Sequence, residues 1–93
     1  MSQLKRFWAK AVLKILKTEI AKRDMTYNEL KNKLAAIDVQ ETETNIKNKL
    51  SRGTFSAIFF VQCLRAMNIQ TLSFDEAVFE KKEKSDKTDT KFL

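Results

Sequence analysis

The sequence predicts an all-α protein, a compact bundle of about five helices that contains a helix-turn-helix, with a long N-terminal helix and a disordered C-terminal tail. Three observations predict it. The 93 residues include no proline and a single glycine, whereas an all-β chain needs turn residues every ~8–12 positions. Apolar residues recur at spacings of three and four, the helical period. Two Thr/Ser-x-x-Glu capping boxes punctuate the chain. With 43% apolar residues the chain supports one core of modest size, placed in a domain over 1–79, with residues 80–93 as the charged tail.

The first predicted helix covers residues 3–22, about 30 Å at helical rise. Leu4, Trp8, Ala11, Val12 and Ile15 form one apolar series, and Ala9, Leu13, Leu16 and Ile20 a second. The stripe is wide enough to imply burial on more than one side. Lys5, Arg6, Lys10, Lys14 and Lys17 make the polar face. Thr26 and Glu29 form the first capping box, opening a helix that runs to about Ile37 with Leu30, Leu34 and Ile37 inward. Asp38, Val39, Gln40 and Glu41 read as a polar break with one apolar plug. A third helix covers about 42–51, with Ile46 and Leu50 facing the core together. Gly53 stops it, because glycine alone takes a left-handed backbone without cost. Ser56 caps a fourth helix to about Asn68. Its run of Ile58, Phe59, Phe60, Val61, Cys63, Leu64 and Met67 leaves little polar face and predicts a central position. Ser73 and Glu76 form the second capping box, starting a short fifth helix with Phe74, Ala77 and Val78.

Charge narrows the function. There are 18 basic and 12 acidic residues, a net charge of +6, which suits a polyanionic partner. With Ile46 and Leu50 inward, the turn of about 100° per residue aims Asn48 outward, with Thr44, Asn45, Ser51 and Arg52 beside it. Those side chains suit the major groove: Asn pairs with adenine, Arg with guanine, and Thr offers a methyl to thymine. Lys47 and Lys49 lie on the shoulders as phosphate contacts, and Thr54 and Tyr27 are further phosphate candidates. The same outer face is also what any solvated amphipathic helix shows, and Glu41 and Glu43 would repel phosphates. Glu41 has a second reading, as a negative charge favoured near a helix N-terminus.

The segment 25–69 resembles the phage-repressor and Cro-like (XRE) helix-turn-helix superfamily. The residues Thr26, Tyr27, Glu29 and Leu30, followed by Glu41, Thr42, Glu43, Asn45 and Asn48 to Gly53, then Phe55, Ser56, Ala57, Phe59, Phe60, Gln62, Cys63 and Leu64, are similar to a bacterial family of small proteins described as a domain of unknown function. The resemblance implies a five-helix repressor-like fold. The stretch from Val39 to Gly53 is about three residues longer than repressors usually have, so the link is extended or the reading helix is longer. Asn45, Asn48, Ser51 and Arg52 carry over best.

Other classes are excluded or ranked behind. No histidine is present, which removes the commonest general acid/base and zinc ligand. One cysteine builds no structural zinc site and one glycine builds no phosphate loop. Catalysis, cofactor and metal are therefore not expected. The lone cysteine, Cys63, reads as a buried small hydrophobe and fits a reducing, cytoplasmic setting. No apolar run reaches membrane-spanning length, and the first 17 residues lack the h-region of a signal peptide. Leu4, Phe7 and Trp8 are candidate dimer contacts, with ordinary core packing as the alternative. Phe59, Phe60 and Tyr27 could stack on bases, but the phenylalanines fit a core better. The expected function is a homodimeric transcriptional regulator binding double-stranded DNA. The rivals are a protein-interaction module (antitoxin- or adaptor-like) and a membrane-surface helix.

Overall fold

A computed structural model describes residues 3–72 and Phe74, with side chains from Lys5 onward. Four helices occur in order: α1 (Gln3–Lys22), α2 (Tyr27–Ala35), α3 (Glu43–Arg52) and α4 (Ala57–Ala66). No strand occurs among the described residues. The predicted fifth helix, the second capping box and the tail lie outside the described residues.

The helices start as the sequence indicates. At α2 the Glu29 N–H donates to Thr26 Oγ1 at 3.1 Å and the Thr26 N–H donates back to Glu29 Oε1 at 2.8 Å, a complete capping box. Thr42 accepts from the Asn45 N–H at 3.0 Å, and Ser56 from the Phe59 N–H at 3.0 Å. Each cap satisfies a donor that the first helical turn leaves without a partner.

The helix ends follow one recurring device. After α1, α2 and α4 the chain turns left-handed at Asp24, Asp38 and Asn68, with φ of 50°, 65° and 60°. The next N–H in each case reaches back five residues: Met25 to Ile20 O, Val39 to Leu34 O and Ile69 to Leu64 O, at 2.9–3.2 Å. This is the Schellman closure, in which the residue after the left-handed one is apolar. Met25, Val39 and Ile69 accordingly pack on the core. Gly53, with φ of 73°, closes α3. A Cβ added there would meet Leu13 Cδ2 at 3.2 Å, so glycine serves both the left-handed turn and the approach of α1.

One core joins all four helices: Leu16 and Ile20 from α1, Leu30 and Leu34 from α2, Ile46 and Leu50 from α3, and Phe59 and Cys63 from α4, with Met67 beyond it. The α2 helix packs on both α3 and α4, and α1 lies along α4. Three details correct the sequence reading. The α2 helix ends at Ala35, and Ile37 is exposed in the closing turn instead of facing the core. The α4 helix ends at Ala66. It is not apolar because it is central: Ile58 and Val61 are 70% and 60% exposed, on the side opposite Phe59 and Cys63 by helical rotation. The structure also shows what becomes of Glu19. It is buried on the core side of α1, bound by Arg23 at 2.7 Å and Lys22 at 3.5 Å.

Gly53→Ala should therefore lower stability by about 1–2 kcal/mol, the cost of a Cβ in the left-handed region. Asp38→Gly should raise it by up to about 1 kcal/mol, since it removes that cost and a negative charge from a helix C-terminus. Urea unfolding midpoints of the two variants on either side of the wild type would bear this out.

Candidate nucleic-acid interface

The candidate surface is the outer side of α3. Ile46 and Leu50 are fully buried one turn apart, and this fixes which way the helix faces. A ten-residue helix is too short to stand alone in water. Its two anchors, worth about 1.5–3 kcal/mol each on full burial, and its two caps hold it. With that side committed, Thr44, Asn45, Lys47, Asn48, Ser51 and Arg52 are all exposed. They form one continuous polar face with two cations and two amides. Thr54, just past the glycine, is exposed as well.

Two of the sequence-selected phosphate candidates sit elsewhere. Tyr27 is partly buried and packs on the core. Lys49 turns inward: its Nζ lies 2.7 Å from Glu41 Oε2 and 4.4 Å from the centre of the Phe59 ring. A cation over an aromatic face and paired with a carboxylate is already satisfied. Lys47 is the shoulder lysine that faces solvent. Glu41, immediately before the cap Thr42, pairs its carboxylate with Lys49. Its side chain is 13% exposed, and its Oε1 is buried with no hydrogen-bond partner. Glu43 stays exposed in the first turn. The sequence offered no local signal for the Glu41–Lys49 pair, because the two lie eight positions apart, outside the i,i+3 and i,i+4 spacings of a single helix face.

Cys63 is fully buried beside this pair. Burial, and then the Glu41 charge, push its thiol up to about 12, against a smaller opposing effect of Lys49. Phe59 is buried, and Phe60 packs partly on the core; Phe55 stands edge-on to Phe59 at 5.5 Å and stacks on Phe60 at 6.4 Å. These rings serve packing instead of offering a platform for bases. Among the dimer candidates, the Leu4 side chain lies outside the described residues. Phe7 is half-buried and meets Trp8 edge-on at 5.0 Å, and Trp8 is 52% exposed. Trp8 and Val12 lie on the same side of α1 as Ile15, Leu16 and Glu19 by helical rotation. The core side of α1 thus continues, exposed, toward its start. No cluster of metal-ligating side chains and no helix long and apolar enough to cross a membrane occurs among the described residues.

A family model described as a domain of unknown function (DUF6471) matches residues 8–72. That span takes in α2, α3, α4 and most of α1. No curated protein and no solved structure matches the chain.

The thiol makes stability depend on alkaline pH. Below the ordinary value of 9.0 both the folded and the unfolded chain hold the proton, and Cys63 contributes its full stability. Between 9.0 and about 12 only the unfolded chain releases it, so stability falls as pH rises, by at most about 1.4 kcal/mol per unit. Cys63→Ala should be less stable than wild type at pH 8, and the gap should narrow by pH 10.5. Unfolding curves at the two pH values measure this.

Proposed function

The chain belongs to the DUF6471 family, and from the face that α3 presents we propose that it is a non-catalytic DNA-binding protein of helix-turn-helix type. In this reading it is a cytoplasmic transcriptional regulator that inserts α3 into the major groove of double-stranded DNA. The observation that carries the proposal is the division of α3. Ile46 and Leu50 take one side wholly into the core, and Thr44, Asn45, Lys47, Asn48, Ser51 and Arg52 on the other side are all polar and exposed.

The chemistry of that side suits the groove. Asn45 and Asn48 can pair with adenine edges and Arg52 with guanine, the Thr44 and Ser51 hydroxyls can hydrogen-bond to donor or acceptor edges, and Thr44 can offer its methyl to thymine. Lys47 and Thr54 flank them as phosphate contacts. The net charge of +6 supplies the long-range attraction. The α2 helix, packed behind α3, holds the place of the helix that crosses the DNA backbone in an XRE-like arrangement. The pairing of Glu41 with Lys49 supports the proposal, because it neutralises one of the two carboxylates that the sequence set against it.

A homodimer completes the mechanism, with two α3 helices about 34 Å apart on successive major grooves. Its proposed contact is the start of α1, where Trp8 and Val12 continue the core side into solvent. A second reading, a protein-interaction module, is favoured by one observation: Ile58 and Val61 form an exposed apolar face on α4. Salt separates the two, since a protein that neutralises several phosphates loses DNA affinity steeply as salt rises, while apolar docking does not.

Selection from random duplexes, followed by affinity at two salt concentrations, tests the proposal. Asn48→Ala and Arg52→Ala should each lose about 1–3 kcal/mol on the selected duplex and relax base choice. Lys47→Gln should weaken all duplexes alike. Indistinguishable effects from the two sets would remove the assigned roles. Light scattering should find a dimer at micromolar concentration that Trp8→Ala shifts toward monomer. A wild-type monomer unchanged by added DNA would end the dimer model.

A further inference from the structure

The link between α2 and α3, residues 36–42, ends in Glu41 immediately before the cap Thr42. From there the Glu41 carboxylate reaches Lys49, near the far end of α3, at 2.7 Å. The Lys49 ammonium in turn sits 4.4 Å over the ring of Phe59, a core residue of α4. Three elements therefore meet at one cation: the link, α3 and α4. The lysine side chain is 29% exposed and the glutamate 13%, so both charges are largely withdrawn from water. Glu41 Oε1 is buried with no hydrogen-bond partner, and Lys49 holds the other carboxylate oxygen among the described residues. The contact with Phe59, 2% exposed, brings the pair against the core.

We propose that Glu41 and Lys49 form a clasp that sets the orientation of α3 on α4, making them positioning residues for DNA reading and not contacts to DNA. The inference rests on the DNA-binding reading for its functional half. Its physical basis is separate. Ile46 and Leu50 fix the rotation of α3 about its own axis, because they decide which side is buried. Two apolar anchors only one turn apart hold a short length of the helix axis and leave its ends able to swing about that length. A charge pair running from the residue before the N-cap to the last turns of α3, seated on an α4 ring, restrains that swing. Buried pairs of this kind are better attested as devices of geometry than of net stability. Asn45, Asn48 and Arg52 can only meet base edges together if the helix axis is held. A tilt that shifts one of them by an ångström or so breaks bidentate pairing.

The test uses the full chain as wild type, K47Q, E41Q, K49Q, the double variant E41Q/K49Q, and K49R, which keeps the charge. Affinity for a selected and for an unrelated duplex is measured across salt. K47Q should lower the salt slope by about 0.9, the loss of one phosphate contact, with the ratio between duplexes unchanged. E41Q and K49Q should leave the slope near the wild-type value and reduce the ratio several-fold, and K49R should retain most of it. A K49Q slope lowered as in K47Q, or E41Q tightening binding to both duplexes by freeing a lysine for phosphates, would overturn the clasp. A readout without DNA stands beside these. In unfolding experiments the double variant should lose less than the sum of the two single variants, and E41Q should speed hydrogen exchange of the α3 amides relative to those of α2. Additive losses and unchanged exchange would overturn the clasp whatever the DNA results. If the wild type binds no duplex, the DNA reading falls, and the unfolding cycle and exchange alone decide whether Glu41 and Lys49 orient α3.

Discussion

The structure depends on the burial of Ile46 and Leu50. They are the only apolar residues of α3, and both are inaccessible to water. Everything else about the helix follows from that commitment. Its remaining eight side chains are polar or charged, so the helix has no other apolar attachment to the fold and no other side to bury. A wider apolar stripe would have allowed several rotations about the axis. Two residues one turn apart allow one. The core they enter is built by Leu30 and Leu34 of α2 and Phe59 and Cys63 of α4, so α3 is held by the two helices that follow and precede it, while α1 braces the assembly through α4 and through Leu13 beside Gly53.

The second constraint is how a chain with one glycine and no proline makes three sharp changes of direction within 70 residues or so of described structure. It does so by giving the left-handed position to Asp24, Asp38 and Asn68. Asp and Asn are the residues for which that conformation is least costly after glycine. The apolar residue that follows each of them is drawn into the core, and its N–H closes the preceding helix. The long link before α3 is therefore not a slack loop. Its first part is the closure of α2, with Val39 pinned to Leu34, and its last part is Glu41 and the cap Thr42. Only Gln40 lies between those two tethers.

Much of this was legible in the sequence. The four described helices, the capping box at Thr26, the caps at Thr42 and Ser56, the glycine stop and the inward pairs Leu30/Leu34 and Ile46/Leu50 are all local patterns, set by residues within one or two turns of each other. The exposed identities on α3 followed from the same rotation. What escaped was of two kinds. The dipeptides Asp24-Met25, Asp38-Val39 and Asn68-Ile69 do carry the Schellman signature, a turn-tolerant polar residue followed by an apolar one, but only Asp38-Val39 is read from the sequence as a break, and the other two are not read as turns. The other kind is tertiary. Whether Ile58 and Val61 are covered depends on which side of α4 its neighbours choose, and an apolar run has no periodicity from which to decide. Lys49 was placed with Lys47 because both flank the outer face by rotation. A long side chain can travel several ångströms from its Cβ, and the presence of Glu41 and Phe59 decides which way it goes.

That last point bears on how charge is read in small basic proteins. A net charge of +6 describes the field far from the surface, where all charges add. Close to a duplex, what counts is which cations are still available. Here Lys49 is paired with Glu41, and Arg23 and Lys22 are paired with the buried Glu19. Each of these pairs removes one or two cations together with a carboxylate, so the total hardly changes while the distribution does. On α3 the effect is to leave Lys47 and Arg52 at the surface and to withdraw one of the two opposing carboxylates, Glu41, from solvent, while Glu43 stays exposed. The same pairing thus removes one charge of each sign beside α3, so the local sum is unchanged and the exposed charges that remain are Glu43, Lys47 and Arg52.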